Sequence, residues 1–200
     1  ACFGQVVTMD SPRARPPGDF NWQSTLWHEI AHVVTLQMSN QRLPRWLSEG
    51  ISTYEQKRAH PAWARDQDME FASALNDDRV LSLRDLNSGF SRPETISLAY
   101  FQASVLVEHL IDVHGEPALR ELVHAYGDGL ETEAALARIG LDFDRLQASF
   151  DEALETKFWA LRRAMTTVEM GDEPAGPERI DAMQQCEGRT CGARAIGIAP

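Results

Sequence analysis

Residues Thr25 to Val34 read TLWHEIAHVV, and the reading of this run decides the rest of the chain. Leu26, Ile30, Val33, Val34 and Gln37 recur at helical spacing, so a helix is expected from Trp22 to about Met38. Asn21 or Ser24 is placed to cap it. Three ionisable side chains, His28, Glu29 and His32, stand inside this apolar run. Burying such groups without partners is costly, so something must bind them. On a helix, residues four apart share a face, with Cβ atoms roughly 6 Å apart. His28 and His32 can therefore converge on one Zn²⁺, each nitrogen about 2.0–2.1 Å from the ion. Glu29 sits about 100° round the helix, where it can hold a water without ligating. The plain alternative is a pair of satisfied helix histidines, which HEIAH alone does not exclude.

A zinc site that does chemistry needs a third protein ligand and an open position. Residues Leu43 to Glu55, LPRWLSEGISTYE, supply a candidate in Glu49. Pro44 suits a first helical turn, so a second helix is expected from there. Two helices joined by a short loop are natural antiparallel neighbours, which would carry Glu49 back over His28 and His32. A lone helical glutamate is ordinarily a solvated residue. Glu49, however, is bracketed by Trp46, Leu47 and Ile51, where an unpaired carboxylate would be expensive.

HEIAHVV followed by LPRWLSEGISTYE resembles the gluzincin superfamily of zinc metallopeptidases, in particular the peptidase MA-like domains. The resemblance is specific over roughly Phe20 to Glu55 and looser to about Arg163. It implies one zinc ion held by His28, His32 and Glu49, with Glu29 as general base. In the looser part, AYFQASVLVEHLIDVHG is similar to the helix that follows the site, and Tyr100 matches a tyrosine that hydrogen-bonds the tetrahedral intermediate. Core packing is an equally good account of Tyr100. Tyr54 and Glu55 fit the pattern without an evident role.

The chain departs from the family in three ways. Sixteen residues separate His32 from Glu49, so the connecting loop must be tight. Four residues after Glu49, where thermolysin-like members place a histidine-orienting aspartate, stands Thr53. A ligating histidine needs a partner on its other nitrogen, and the sequence names none. The G-x-M-E-N segment that grips a free N-terminus in aminopeptidase members is absent, which favours endopeptidase over aminopeptidase action within this segment.

Bulk properties agree. At 200 residues the chain is long enough for one real core, and its composition, 43% hydrophobic and 24% charged, is that of a globular protein. A net charge of −11 argues against nucleic acid and anionic membrane surfaces, leaving peptide or protein substrates open. No run approaches the roughly 18 apolar residues of a membrane span, so no insertion is expected. Ala1 follows no visible signal segment, and a chain without an initiator Met reads as a processed or excised piece, in keeping with part of a larger multidomain protein. Cys186 and Cys191 can close a small loop only in an oxidising compartment, and unremarkable thiols are the preferred reading. The compartment itself is not fixed, with a slight lean to an extracytoplasmic one.

The opening ACFGQVVTMD reads as one β-strand, with three prolines and a glycine breaking the chain after it. Helices are expected at Ala62–Leu75, Ser82–Leu86 and Ser97–His114, then in PALRELVHAYG, ETEAALARIG and a long final stretch capped by Asp142 or Asp144. The expected class is α+β, predominantly helical: a zincin-like metallopeptidase domain over 1–169, with a short N-terminal strand or small sheet, a C-terminal helical lobe, and a tail or linker over 170–200. Trp22, Trp27, Trp46, Trp63 and Trp159 are expected to anchor the core. His60, His109, His114 and His124 are expected to be structural or exposed. The alternative function, from a different class, is a catalytically silent zinc-containing binding or scaffold module of a larger protein.

Overall fold

The computed structural model describes residues 2–3, 6–11, 13–14, 16, 20–63 and 65–171. It divides into two units, Ala1–Arg163 and Ala164–Pro200. The expected boundary at 169/170 falls in the second unit, which is described only as far as Gly171; Cys186 and Cys191 lie outside the described residues.

The first helix, α1, runs from Trp22 to Met38, and of its two candidate caps Asn21 is the one used: Asn21 Oδ1 accepts from the Ser24 N–H at 3.1 Å. That bond satisfies one of the donors every helix start leaves open. The chain reverses through Asn40 and Gln41, both in the left-handed region at φ 51° and 59°. This compact turn is tied down from outside: Asn40 Nδ2 and an Arg42 guanidinium nitrogen both donate to the Gly127 carbonyl at 3.2 Å. The second helix, α2, then spans Arg45–Ala59 with Pro44 in the cap position, φ −63°. Pro44 is therefore the residue before the helix rather than in its first turn. The Trp46 N–H, an open donor of that end, is taken by Asn87 Oδ1 at 3.2 Å.

A 3₁₀ turn, Pro61–Trp63, and helix α3, Arg65–Asn76, replace the single helix expected there. A short α4, Leu86–Gly89, follows a loop. The buried amide of Gln102 holds that loop at both the N–H and the carbonyl of Leu81, while Gln147 Oε1 accepts from the Leu83 N–H at 2.8 Å. Backbone groups brought near the core are thus paired, as they must be. Helix α5 spans Ile96–Gly127 as two helical runs joined across a kink at Gly115, where φ is 82° and ψ 160°, so the glycine expected as a stop does interrupt the helix there. Helices α6, Thr132–Arg138, and α7, Phe143–Gly171, complete the described chain. Asp142 caps α7, its Oδ1 accepting from the Arg145 N–H at 2.9 Å.

The core lies where α2 crosses α5. Leu47 is fully buried, and Phe101, Val105, Leu106, Val107 and Leu110 are buried along α5. Phe71 of α3 and Phe158 of α7 close on Phe101, with ring centroids 5.0 to 6.5 Å apart. Each fully buried side chain of this size contributes about 1.5–3 kcal/mol. By length and composition α5 is apolar enough to cross a membrane, contrary to the expectation that no run would qualify, and many of its apolar residues lie in the core.

The expected α+β class is not borne out. The domain is helical, and the N-terminal strand reduces to a pairing of Cys2–Phe3 with Val6–Val7, two residues per arm. No larger sheet exists among the described residues for it to edge. Two rungs are too few to form a stable layer, so valine-rich composition alone did not make one. The tryptophans also divide: Trp46 is buried, whereas Trp22, Trp27 and Trp159 are 43%, 47% and 58% exposed.

Candidate active site

Helix α1 presents His28 and His32 on one face, their rings edge to face with centroids 4.7 Å apart. Helix α2 packs against that face and delivers Glu49 between them. His28 Nε2 lies 3.0 Å from His32 Nε2, and Glu49 Oε2 lies 3.2 and 3.1 Å from these two nitrogens. All three side chains are nearly buried, at 15%, 12% and 14% exposure. Three lone-pair-bearing atoms held this close repel one another unless a proton or cation sits among them. Ligands at 2.0–2.1 Å around a tetrahedral ion would be about 3.3 Å apart, so the spacing suits such an ion. The donor set, two imidazoles and a carboxylate, is also of the right chemistry. Among the described residues it is the one His/Cys/Asp/Glu group able to hold a metal.

Burial acts to raise the Glu49 carboxyl. Hydrogen bonds to His28 and His32, together with their charge, outweigh it and hold the group far below the usual carboxylate range. Its other oxygen, Oε1, lies 3.6 Å from Arg45 Nε, one helical turn back. Arg45 is itself seated by donating to the Phe90 carbonyl at 3.1 Å, with its guanidinium 5.2 Å above the Phe90 ring.

Both histidines find the outer partners that the sequence did not name. His28 Nδ1 is 2.9 Å from Gln56 Oε1. His32 Nδ1 is 2.9 Å from Ser48 Oγ and 3.2 Å from Ser52 Oγ. Thr53, which occupies the position of the orienting aspartate, makes none of these contacts; Gln56, nearly one turn further along α2, does. A signal was present as a polar stripe: positions 45, 48, 49, 52 and 56 recur at helical spacing beside Trp46, Leu47 and Ile51.

Glu29 and Tyr100, the other two residues singled out in the sequence, line the same cleft of about 440 Å³, together with Leu36 and Ser48. Glu29 is 9% exposed. The Tyr100 ring lies 6.3 Å from that of His28 and packs edge-on against Phe90 at 5.1 Å. Its hydroxyl is pushed up in pKa by burial and by the charge of Glu49, with Arg45 acting in the opposite sense. A neutral, protonated phenol facing an anionic cluster is a hydrogen-bond donor.

The remaining histidines stay out of this cluster. His109 is buried and bonds Ser149 Oγ at 2.8 Å, and His60 stacks on Trp63 at 5.2 Å. A slightly larger groove, about 490 Å³ between α5 and α7, includes His109 but gathers no comparable donor set.

No curated protein and no solved structure matches the chain. The sequence profile of the Peptidase MA superfamily does, over residues 16–156, a span that runs from before α1 into α7 and contains every residue of the cluster. The chain belongs to the Peptidase MA superfamily.

Proposed function

We propose that the protein is a zinc-dependent peptidase that hydrolyses peptide bonds in peptide or protein substrates. One observation carries this reading: two imidazole nitrogens and a carboxylate oxygen within 3.2 Å of one another, in a cleft that also holds a nearly buried second glutamate. A zinc ion held by His28, His32 and Glu49 would supply Lewis acidity to an attacking water and to the scissile carbonyl. Glu29 accepts the proton the water loses as its oxygen bonds to the carbonyl carbon. The same carboxyl then gives that proton to the nitrogen as the carbon–nitrogen bond breaks. Tyr100 donates its hydroxyl hydrogen to the carbonyl oxygen as negative charge builds there. Arg45 supports the cluster from behind by holding the far oxygen of Glu49.

The test is a peptide-library digest with and without a chelator, read by mass spectrometry, alongside metal analysis. Cleavage that stops on chelation and returns with zinc supports the proposal, and the positions cut separate internal from terminal attack. Replacing Glu29 by Gln is expected to leave zinc bound and abolish cleavage. Undiminished turnover in that variant removes the general-base assignment. Stoichiometric zinc without cleavage of any peptide would leave a silent zinc module instead.

A further inference from the structure

Gln56 is neither a ligand nor an acid–base group, yet its carboxamide is fixed at both ends. Its Nε2 donates to the Ser24 carbonyl at 3.1 Å and lies 2.7 Å from Ser24 Oγ. A carbonyl oxygen only accepts, so the NH₂ end of the amide must face Ser24, and Oε1 must face His28 Nδ1 at 2.9 Å. Oε1 likewise only accepts. His28 Nδ1 therefore carries a proton, which leaves Nε2, facing His32 and Glu49, as the nitrogen able to give a lone pair to a metal ion.

His32 is held differently. Its Nδ1 meets two hydroxyls, Ser48 and Ser52, and a hydroxyl donates or accepts as required. Nothing in that pair selects a tautomer, so only one of the two imidazoles has its protonation pattern dictated by its surroundings.

We propose that Gln56 is a positioning residue: oriented by the Ser24 backbone, it locks His28 in the Nδ1–H form and keeps its Nε2 lone pair presented for a metal ion. The inference rests on reading His28, His32 and Glu49 as a metal site. It also explains how the site manages without an aspartate at position 53. A neutral amide supplies the same acceptor without placing another anion beside Glu49 and Glu29.

Two measurements test it. The first uses zinc-loaded protein with ¹⁵N-labelled histidine. Long-range ¹H–¹⁵N spectra should show His28 protonated at Nδ1 and bound to the metal through Nε2. A His28 protonated at Nε2 overturns the proposal whether or not any variant folds. The second is zinc affinity by competition with a chromophoric chelator. Gln56→Leu removes the acceptor and should weaken zinc binding about 10- to 100-fold. Gln56→Glu keeps an acceptor for His28 but loses the donor to Ser24, and should stay within a few-fold of the parent protein.

Equal losses in the two variants would mean that Gln56 only clamps α2 to Ser24 of α1, and the inference fails. Unchanged affinity in Gln56→Leu also overturns it, while the metal site stands. Absence of zinc binding in the parent protein instead removes the site itself, so the two failures are distinguishable.

Discussion

Gly50 follows the carboxylate of the cluster directly and lies where α2 meets α5. A Cβ built at this position would lie 2.7 Å from the Ala103 carbonyl oxygen, 3.0 Å from its carbon and 3.0 Å from Val107 Cγ2. Two of those three neighbours are backbone, so no rotamer change relieves them. Gly50→Ala should therefore do the opposite of what helix propensity predicts. In an open helix the exchange would stabilise by about 0.5–1 kcal/mol. Here relief of the contact requires α2 and α5 to separate by roughly half an ångström, in the class of overpacking that costs about 1–3 kcal/mol. Because the steric term exceeds the propensity term, a net loss of about 1–2 kcal/mol is expected. For a domain of this size that is a fall in Tm of about 2–8 °C. Since Glu49 rides on the same turn, zinc affinity should fall as well. Thermal unfolding of the metal-free protein, followed by chelator competition, measures both. A Tm that rises by a degree or two would show that the helices are not in backbone contact there, and the reasoning would be wrong.

Tyr100→Phe should keep the fold and zinc affinity while lowering kcat by about 10²-fold, the cost of one oxyanion donor; peptide hydrolysis at matched zinc occupancy checks it. Chelation should lower Tm: at zinc about 100 times its Kd the ion stabilises by about 2.7 kcal/mol, so removal is expected to cost about 5–11 °C in a scanning experiment. Glu108 gives the pH prediction. Burial acts to raise it, but Lys157 at 2.7 Å and Lys57 at 3.3 Å hold its carboxyl below the ordinary value of 4.5. A depressed folded pKa means that its stabilisation is full above pH 4.5 and is lost as pH falls through the lowered value. Glu108→Gln should therefore cost about 1–2 kcal/mol at pH 7, and the gap in urea midpoints should close towards pH 3.

Much of the site was legible because a helix converts sequence spacing into geometry. His28 and His32 are four apart, and any helix puts them on one face. Trp46, Leu47 and Ile51 around Glu49 already marked a carboxylate that could not be left alone in an apolar setting. Asn21 and Asp142 as caps follow from the same local rules. The misreadings came where burial is settled by distant chain. Trp22, Trp27 and Trp159 are as apolar as Trp46, but of these four only Trp46 is buried, on the helix that packs against α4 and α5. Val6 and Val7 have strand propensity, but no third strand arrives among the described residues to turn a two-rung pairing into a sheet.

The sequence by itself determined the chemical types at the site and the two helices that carry them, because those depend on contacts within one or two turns. The tertiary structure alone decided the partners of the histidines and the seating of Arg45. Gln56 reaches Ser24 across 32 residues, and Arg45 reaches Phe90 across 45. Such pairs depend on how closely the helices approach, down to the missing side chain of Gly50, and no local pattern encodes that distance.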